Sequence, residues 1–281
     1  MASPLGRDRQ PSWMRGALIR EALRLVQEES ATWLQADIAR HLTNLVPPSA
    51  APSATKVVEY IDRLAARAET RCVAVGPNLD GPTRCDGRPI AEAVTDRLFT
   101  TSEALDQELQ LQWWAEANAA PPDAALDPRR AAVKVITGFD RLVVVVGPAG
   151  TGKTTTTAYG VEVLGVHGRP VVGRAPSGKA ADVLATEAGC PTDTLAGFLT
   201  RHQHNATPRP ADTTVILDEA TMAATDDIAR LVDLAQRNDW RLIAIGDPAQ
   251  LPAVGRGGVF AHWCDTVPHI ELETPRRVNK P

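Results

Sequence analysis

Four valines run straight into a glycine loop in VVVVGPAGTGKTTTT, Val143–Thr157. An unbroken β-branched run, with no polar alternation, predicts a strand buried on both faces. GPAGTGKT, Gly147–Thr154, fits G-x-x-x-x-G-K-[ST] without a mismatch, and a helical stretch follows it. Strand, loop and helix in that order bring backbone N–H groups and a helix N-terminus to bear on one anion. Gly147, Pro148, Ala149, Gly150, Thr151, Gly152, Lys153, Thr154 and Thr155 are therefore expected to cradle the phosphates of a nucleoside triphosphate. Lys153 is expected to reach the β- and γ-phosphates, and the Thr154 hydroxyl to sit on Mg²⁺.

Working outward, apolar runs alternate with helical segments: RLVVVV, RPVVGRA, TTVILDE, WRLIAIGD and HIELE. This β-α alternation predicts an α/β fold, a mostly parallel sheet with helices on both faces. In such sheets ligands bind outside the carboxyl ends of the strands. TTVILDEA places Asp218 and Glu219 at one of those ends. Asp218 is then expected to hold Mg²⁺, and Glu219 to orient or deprotonate an attacking water. GDPAQLPAVGRGG, Gly246–Gly258, brings Asp247 and Gln250 to another strand end, where Gln250 could sense a γ-phosphate.

The first part of the chain reads differently. Three amphipathic stretches, Trp13–Glu29, Trp33–Val46 and Ala54–Glu69, precede a short strand, Cys72–Val75, so residues 1–125 are expected to be mainly helical. That order suits either a winged-helix-like module or a plain helical bundle. GPNLDGPTRCDGRP, Gly76–Pro89, is a loop or hairpin tip. A further helix is expected within Arg97–Ala120, capped by Thr101 or Ser102. Its Trp113-Trp114 pair suits helix packing better than base stacking. PPDAALDP, Pro121–Pro128, is the best linker, which sets the expected domains at 1–125 and 126–281.

Bulk properties exclude some classes. A net charge of −4 rules out a polyanion binder of the histone type, so any nucleic-acid contact must be local. Cys72, Cys85, Cys190 and Cys264 form no CxxC pair, which argues against a zinc ribbon. His202-Gln203-His204 is expected to be a solvated loop rather than a metal site. No apolar run approaches a membrane span and no signal peptide is evident, so a cytoplasmic setting is expected.

At this point the motifs resemble a family. GPAGTGKT, RAPSGKAA (Arg174–Ala181), TLAGFL (Thr194–Leu199), VILDEATM (Val215–Met222), GDPAQLPAVGRGG and ELETPRRV (Glu271–Val278) follow the order of superfamily 1 helicase motifs I, Ia, Ib, II, III and IV. They are similar to the RecD/TraA branch (superfamily 1B), which includes the helicase part of conjugative relaxases. The resemblance covers residues 126–281 strongly and 13–120 loosely. It implies a RecA-like P-loop domain that uses ATP and Mg²⁺ to unwind DNA in the 5′-to-3′ direction. It places Ser177, Lys179 and Thr194 near single-stranded DNA. It makes Gln250 the link between nucleotide state and DNA, and brings Arg277 to the γ-phosphate.

The chain also departs from the pattern. Arg129 stands where these helicases carry a glutamine that reads adenine. The second RecA-like domain, with motifs V and VI, is expected to be missing after Pro281, so the isolated chain is expected to be an incomplete motor. With only Tyr60 and Tyr159 as tyrosines and no three-histidine constellation, it is not a relaxase. The alternatives are a nucleotide-switched DNA- or protein-binding module that never translocates, a half-motor completed by a second chain, and a remnant with no role.

Overall fold

The computed structural model describes residues 12–51, 53–75, 97–148, 150–204 and 209–272. Ala149, the loop at 76–89 with Cys85, and most of ELETPRRV with Arg277 lie outside the described residues. The chain divides into two compact units, Met1–Asp106 and Gln107–Pro281. The division falls upstream of the linker from which a boundary near 125 was expected.

The first unit contains α1 (Ser12–Glu29), α2 (Gln35–Leu45), α3 (Ala54–Glu69), β1 (Val73–Val75) and β2 (Leu98–Thr100). β1 and β2 pair antiparallel, and Trp33 bridges Phe99 through two backbone hydrogen bonds of 2.8 and 3.0 Å. That third rung distinguishes the unit from a plain helical bundle. Ile19, Val26, Trp33, Ile38, Leu42, Ile61, Leu64 and Phe99 form its core. Next comes α4 (Ser102–Asn118), whose cap is Thr101: its hydroxyl accepts the Ala104 N–H at 3.1 Å.

The second unit is built on a six-stranded sheet. Its strands are β3 (Leu142–Val146), β4 (Val171–Ala175), β5 (Thr192–Thr194), β6 (Thr214–Leu217), β7 (Arg241–Gly246) and β8 (Ile270–Glu271). The spatial order is β5-β4-β6-β7-β3-β8, and every pairing is parallel. β5 was not expected; Thr-Asp-Thr carries no apolar signal, and its pairing to β4 alone makes it a strand.

The connecting helices are α5 (Pro128–Thr137), α6 (Lys153–Val166), α7 (Gly178–Ala188), α8 (Leu195–His204), α9 (Thr225–Asn238) and α10 (Val259–Thr266). Side chains from β3, β6 and β7 alternate between two apolar clusters. Val144, Val215, Leu217 and Ala244 join Phe198, Ile228 and Trp263 in one, and Val143, Val145, Ile216 and Ile243 join Ala132 and Ile136 in the other. A sheet covered on both faces explains the unbroken valine run.

Two sequence readings change. His202-Gln203-His204 is no solvated loop but the last turn of α8, where His202 packs on Phe198 with centroids 4.1 Å apart and edge-on to Trp240. The tryptophan pair separates. Trp114 packs against Trp263, whereas Trp113 is 63% exposed.

Candidate nucleotide and nucleic-acid site

The parallel sheet lines up five loops at one edge. In register, Val146 of β3 pairs with Gly246 of β7, Ala244 of β7 with Leu217 of β6, Leu217 with Arg174 of β4, and Ala175 of β4 with Thr194 of β5. Gly147, Asp247, Asp218, Ser177 and Thr194 therefore leave, or close, neighbouring strands at the same end. Strands spaced about 4.8 Å apart put Gly147 and Asp218 roughly 10 Å apart, with Asp247 between them.

The glycine loop has the backbone that its sequence demands. Gly150 and Gly152 have φ of 80° and 89°, the left-handed region. At Gly147 the constraint is space, because a Cβ would lie 2.6 Å from Thr151 Oγ1 and 3.0 Å from Lys153 Cγ. Thr151 Oγ1 donates to the Pro148 carbonyl at 2.9 Å, which fixes the curve of the loop. The α6 N-cap is Gly152, which offers no side-chain acceptor, so the first-turn N–H groups remain free to face an anion. Lys153 Nζ donates to the Gly147 carbonyl at 2.6 Å and so lies across the loop.

Asp218 is anchored twice. Its N–H donates to the Arg174 carbonyl at 2.9 Å, and its Oδ1 accepts the Glu219 N–H at 3.0 Å. Burial raises its pKa above the ordinary 3.8; the Glu219 N–H and Lys153 oppose that rise, while Glu219 and Glu187 add to it. Glu219 has φ of 50° and ψ of 42°, a left-handed conformation that costs a non-glycine residue of order 1–3 kcal/mol. Its Oε2 is buried with no hydrogen-bond partner among the described residues.

Two contacts found here have no signal in the linear sequence. Thr221, after Glu219, donates its hydroxyl to the Asp247 carbonyl at 3.0 Å and accepts the Asp247 N–H at 3.2 Å. Gln250 belongs to the loop that begins at Asp247, and its N–H donates to the Asp247 carbonyl at 3.0 Å. At the far end of that loop, Arg256 is buried and donates to Glu108 at 3.2 Å and Asp226 at 2.5 Å. Between the two anchors, Leu251 is 82% and Val254 100% exposed. Arg129 lies against the glycine loop, its Nη2 donating to the Thr151 carbonyl at 3.4 Å.

Ser177 and Thr194 are both helix caps. Ser177 Oγ accepts the Ala180 N–H at 3.2 Å at the start of α7, and Thr194 Oγ1 accepts the Gly197 N–H at 3.2 Å at the start of α8. Lys179 projects from the first turn of α7. Two helix N-termini thus open at the edge that carries Asp218.

The residues fit Mg²⁺ and a triphosphate. An unpartnered buried carboxylate oxygen, a loop too tight for a Cβ and an ionisable aspartate match a cation held largely by phosphate and water oxygens. No group of three or more His, Cys, Asp or Glu side chains able to hold a metal occurs among the described residues. A site of one carboxylate and one hydroxyl needs none. No helix among the described residues is long and apolar enough to cross a membrane.

A glycine loop at a helix N-terminus, with an Asp-Glu pair two strands away on a parallel sheet, defines a P-loop nucleoside triphosphatase domain. Residues 127–281 match the family model described as AAA domain, over more than half the chain, and the chain belongs to that family. Within it, the chain is of the superfamily 1, RecD/TraA helicase type. It is 38% identical over 148 residues to the conjugal transfer protein TraA of Rhizobium radiobacter, covering 53% of this chain and 14% of that protein. It is 34% identical over 138 residues to the ATP-dependent RecD2 DNA helicase of Deinococcus radiodurans, covering 47% of this chain and 19% of that one. The Pif1 helicase of Candida albicans aligns structurally with a TM-score of 0.41 and 18% identity, over 52% of this chain and 39% of that one. The matched region is thus under a fifth of either curated relative.

Proposed function

We propose that residues 126–281 act as the ATP-binding motor domain of a DNA helicase, coupling the binding and hydrolysis of Mg·ATP to single-stranded DNA. The observation that carries this reading is the common sheet edge, which joins the glycine loop, Asp218-Glu219, the Gln250 loop and the N-termini of α7 and α8.

The roles follow from the chemistry. The loop N–H groups and Lys153 bind the phosphates. Thr154 and Asp218 hold Mg²⁺, which, when bound, draws charge from the phosphate oxygens. Glu219, its Oε2 without a partner among the described residues, accepts a proton from the attacking water. Gln250 reports the γ-phosphate to the DNA side through the Asp247–Thr221 link. Ser177, Lys179 and Thr194 contact the strand, where the caps' helices add partial positive charge. Arg277, outside the described residues, is assigned to the γ-phosphate by the family resemblance alone. A second RecA-like domain would form the opposite wall of the site. The setting is cytoplasmic.

The test is ATP hydrolysis by the purified chain with and without single-stranded DNA, beside Lys153→Ala and Glu219→Gln. Expected are weakened nucleotide binding in Lys153→Ala, and retained binding without hydrolysis in Glu219→Gln. Normal hydrolysis by Glu219→Gln would remove Glu219 from its role. A second reading, a nucleotide-switched binding module that never translocates, draws on the Thr221–Asp247 link, which needs only binding to act. Equal DNA affinity with and without nucleotide would count against both readings.

A further inference from the structure

Two ties join the loop after β6 to the loop after β7. The first is Thr221, whose hydroxyl donates to the Asp247 carbonyl at 3.0 Å and accepts its N–H at 3.2 Å. The second is Arg256. Its carbonyl accepts the Thr225 N–H at 2.8 Å, and its guanidinium donates to Asp226 at 2.5 Å. Residues 221–226 and 247–256 therefore close into a ring. One arm of the ring starts just after Glu219, and the other carries Gln250.

The second tie is the more heavily built. α9 begins at Thr225, and its N-cap, Ala224, offers no side-chain acceptor. The Arg256 carbonyl supplies the missing cap. The buried Arg256 side chain also donates to Glu108 at 3.2 Å and to Gln107, both on α4. One guanidinium thus fastens the loop to two helices, using a fork of donors that a lysine lacks. Its carboxylate partners stay in water, with side chains 43% exposed at Glu108 and 44% at Asp226. They do not need Arg256 to neutralise them. Pairing of this kind adds little net stability, because desolvating the guanidinium offsets the attraction. What Arg256 contributes is position.

The stretch between the ties needs that contribution. Among the described residues, no hydrogen bond holds Leu251–Gly255. Gly255, with φ of 105°, gives the backbone before Arg256 no stiffness of its own. Gln250 lies three residues after the first tie and six before the second. We propose that Arg256 is a positioning residue for Gln250. It fixes the far end of the loop, and so holds the Gln250 side chain where the γ-phosphate arrives. Without it the loop keeps only the Thr221 tie, and Gln250 pivots about Asp247. Arg256, fastened to α4 and α9, acts through Gln250 and not on the nucleotide itself. The inference rests on the γ-phosphate reading of Gln250 given above and adds to it a residue that the reading did not use.

The test measures how much a γ-phosphate adds to affinity. Mg·AMP-PNP and Mg·ADP each compete with a fluorescent ADP on the full chain, and the ratio of their dissociation constants is taken. Wild type, Gln250→Ala, Arg256→Met, Arg256→Lys and the double variant Gln250→Ala with Arg256→Met are compared. Gln250→Ala is expected to shrink the advantage of AMP-PNP about two- to tenfold, the size of one lost hydrogen bond. Arg256→Met is expected to shrink it comparably. Arg256→Lys, which keeps the charge and one ion pair, is expected to restore part of it. The double variant is expected to fall no further than Gln250→Ala, because both changes act through one side chain. A merely structural arginine would move the thermal midpoint and leave the ratio alone.

The proposal is overturned if Arg256→Met keeps the wild-type ratio, or if the two losses multiply in the double variant. Should Arg256→Met not fold, Glu108→Gln and Asp226→Asn each remove one partner from the half-exposed rim, and an unchanged ratio in both overturns it equally. A wild-type ratio in Gln250→Ala would overturn the γ-phosphate reading of Gln250 and this role with it. Nucleotide bound by wild type and lost in Lys153→Ala would still support the phosphate site, so the two failures are told apart.

Discussion

Thr221 and Asp247 exchange two hydrogen bonds, the threonine hydroxyl donating to the aspartate carbonyl at 3.0 Å and accepting its N–H at 3.2 Å. Thr221 follows the carboxylate pair at the end of β6, and Asp247 opens the Gln250 loop at the end of β7. One hydroxyl thus joins the two loops, and both of its partner atoms are buried backbone groups.

Replacing Thr221 by valine keeps the volume and removes the hydroxyl. The Asp247 N–H would then be buried unpaired, at a cost of about 1–3 kcal/mol, while its carbonyl keeps the Gln250 N–H. The expected result is near-normal nucleotide binding, lower stability and loss of DNA stimulation of hydrolysis. Comparing hydrolysis with and without DNA in the variant checks it; full stimulation would deny the link a coupling role.

Asp218 sets a pH dependence. Burial raises its folded-state pKa above 3.8. Between the unfolded and folded values the native state binds more protons, so stability falls as pH rises through that window. Holding Mg²⁺ requires the ionised form. Mg²⁺-dependent nucleotide affinity should therefore fade, on acidification, above the ordinary aspartate range, while affinity measured in EDTA changes less. Asp218→Asn should unfold at a higher temperature at neutral pH and lose the Mg²⁺-dependent part. Titrating a fluorescent nucleotide with and without Mg²⁺ checks both.

Arg129 touches the glycine loop at Thr151. A guanidinium has donors only, whereas a glutamine can both give and accept. Adenine shows a donor at N6 beside the N7 acceptor, and guanine shows two acceptors. ATP should therefore be bound no better than GTP, and Arg129→Gln should restore a preference for ATP. Competition between the two nucleotides, in wild type and variant, decides it.

Arg241 holds the end of α5 to the sheet. It donates to the carbonyls of Asp140 at 2.8 Å, Ile136 at 3.1 Å and Val135 at 3.1 Å, and to Thr214 Oγ1 at 3.3 Å. Arg241→Met should leave the Asp140 and Ile136 carbonyls without this donor, while Val135 keeps the Gly138 N–H, and cost about 2–4 kcal/mol. Urea unfolding followed by circular dichroism measures it; a change under 1 kcal/mol, on the scale of an ordinary surface substitution, would show that water replaces the guanidinium.

By itself, the sequence determined the P-loop, the strands that flank it and the Asp218-Glu219 pair. Those features are local: a valine run, a glycine spacing and a carboxylate after a strand each carry their meaning within a few residues. Tertiary structure alone decided β5, whose Thr-Asp-Thr becomes a strand only beside β4. It also decided the turn of α8 that packs His202 on Phe198, the Thr221–Asp247 link and the buried arginines Arg241 and Arg256. Sequence reading places charged side chains in water by default, because burial is costly. Which arginine finds carbonyls, as Arg241 does, and which finds carboxylates, as Arg256 does, depends on what the fold brings alongside it.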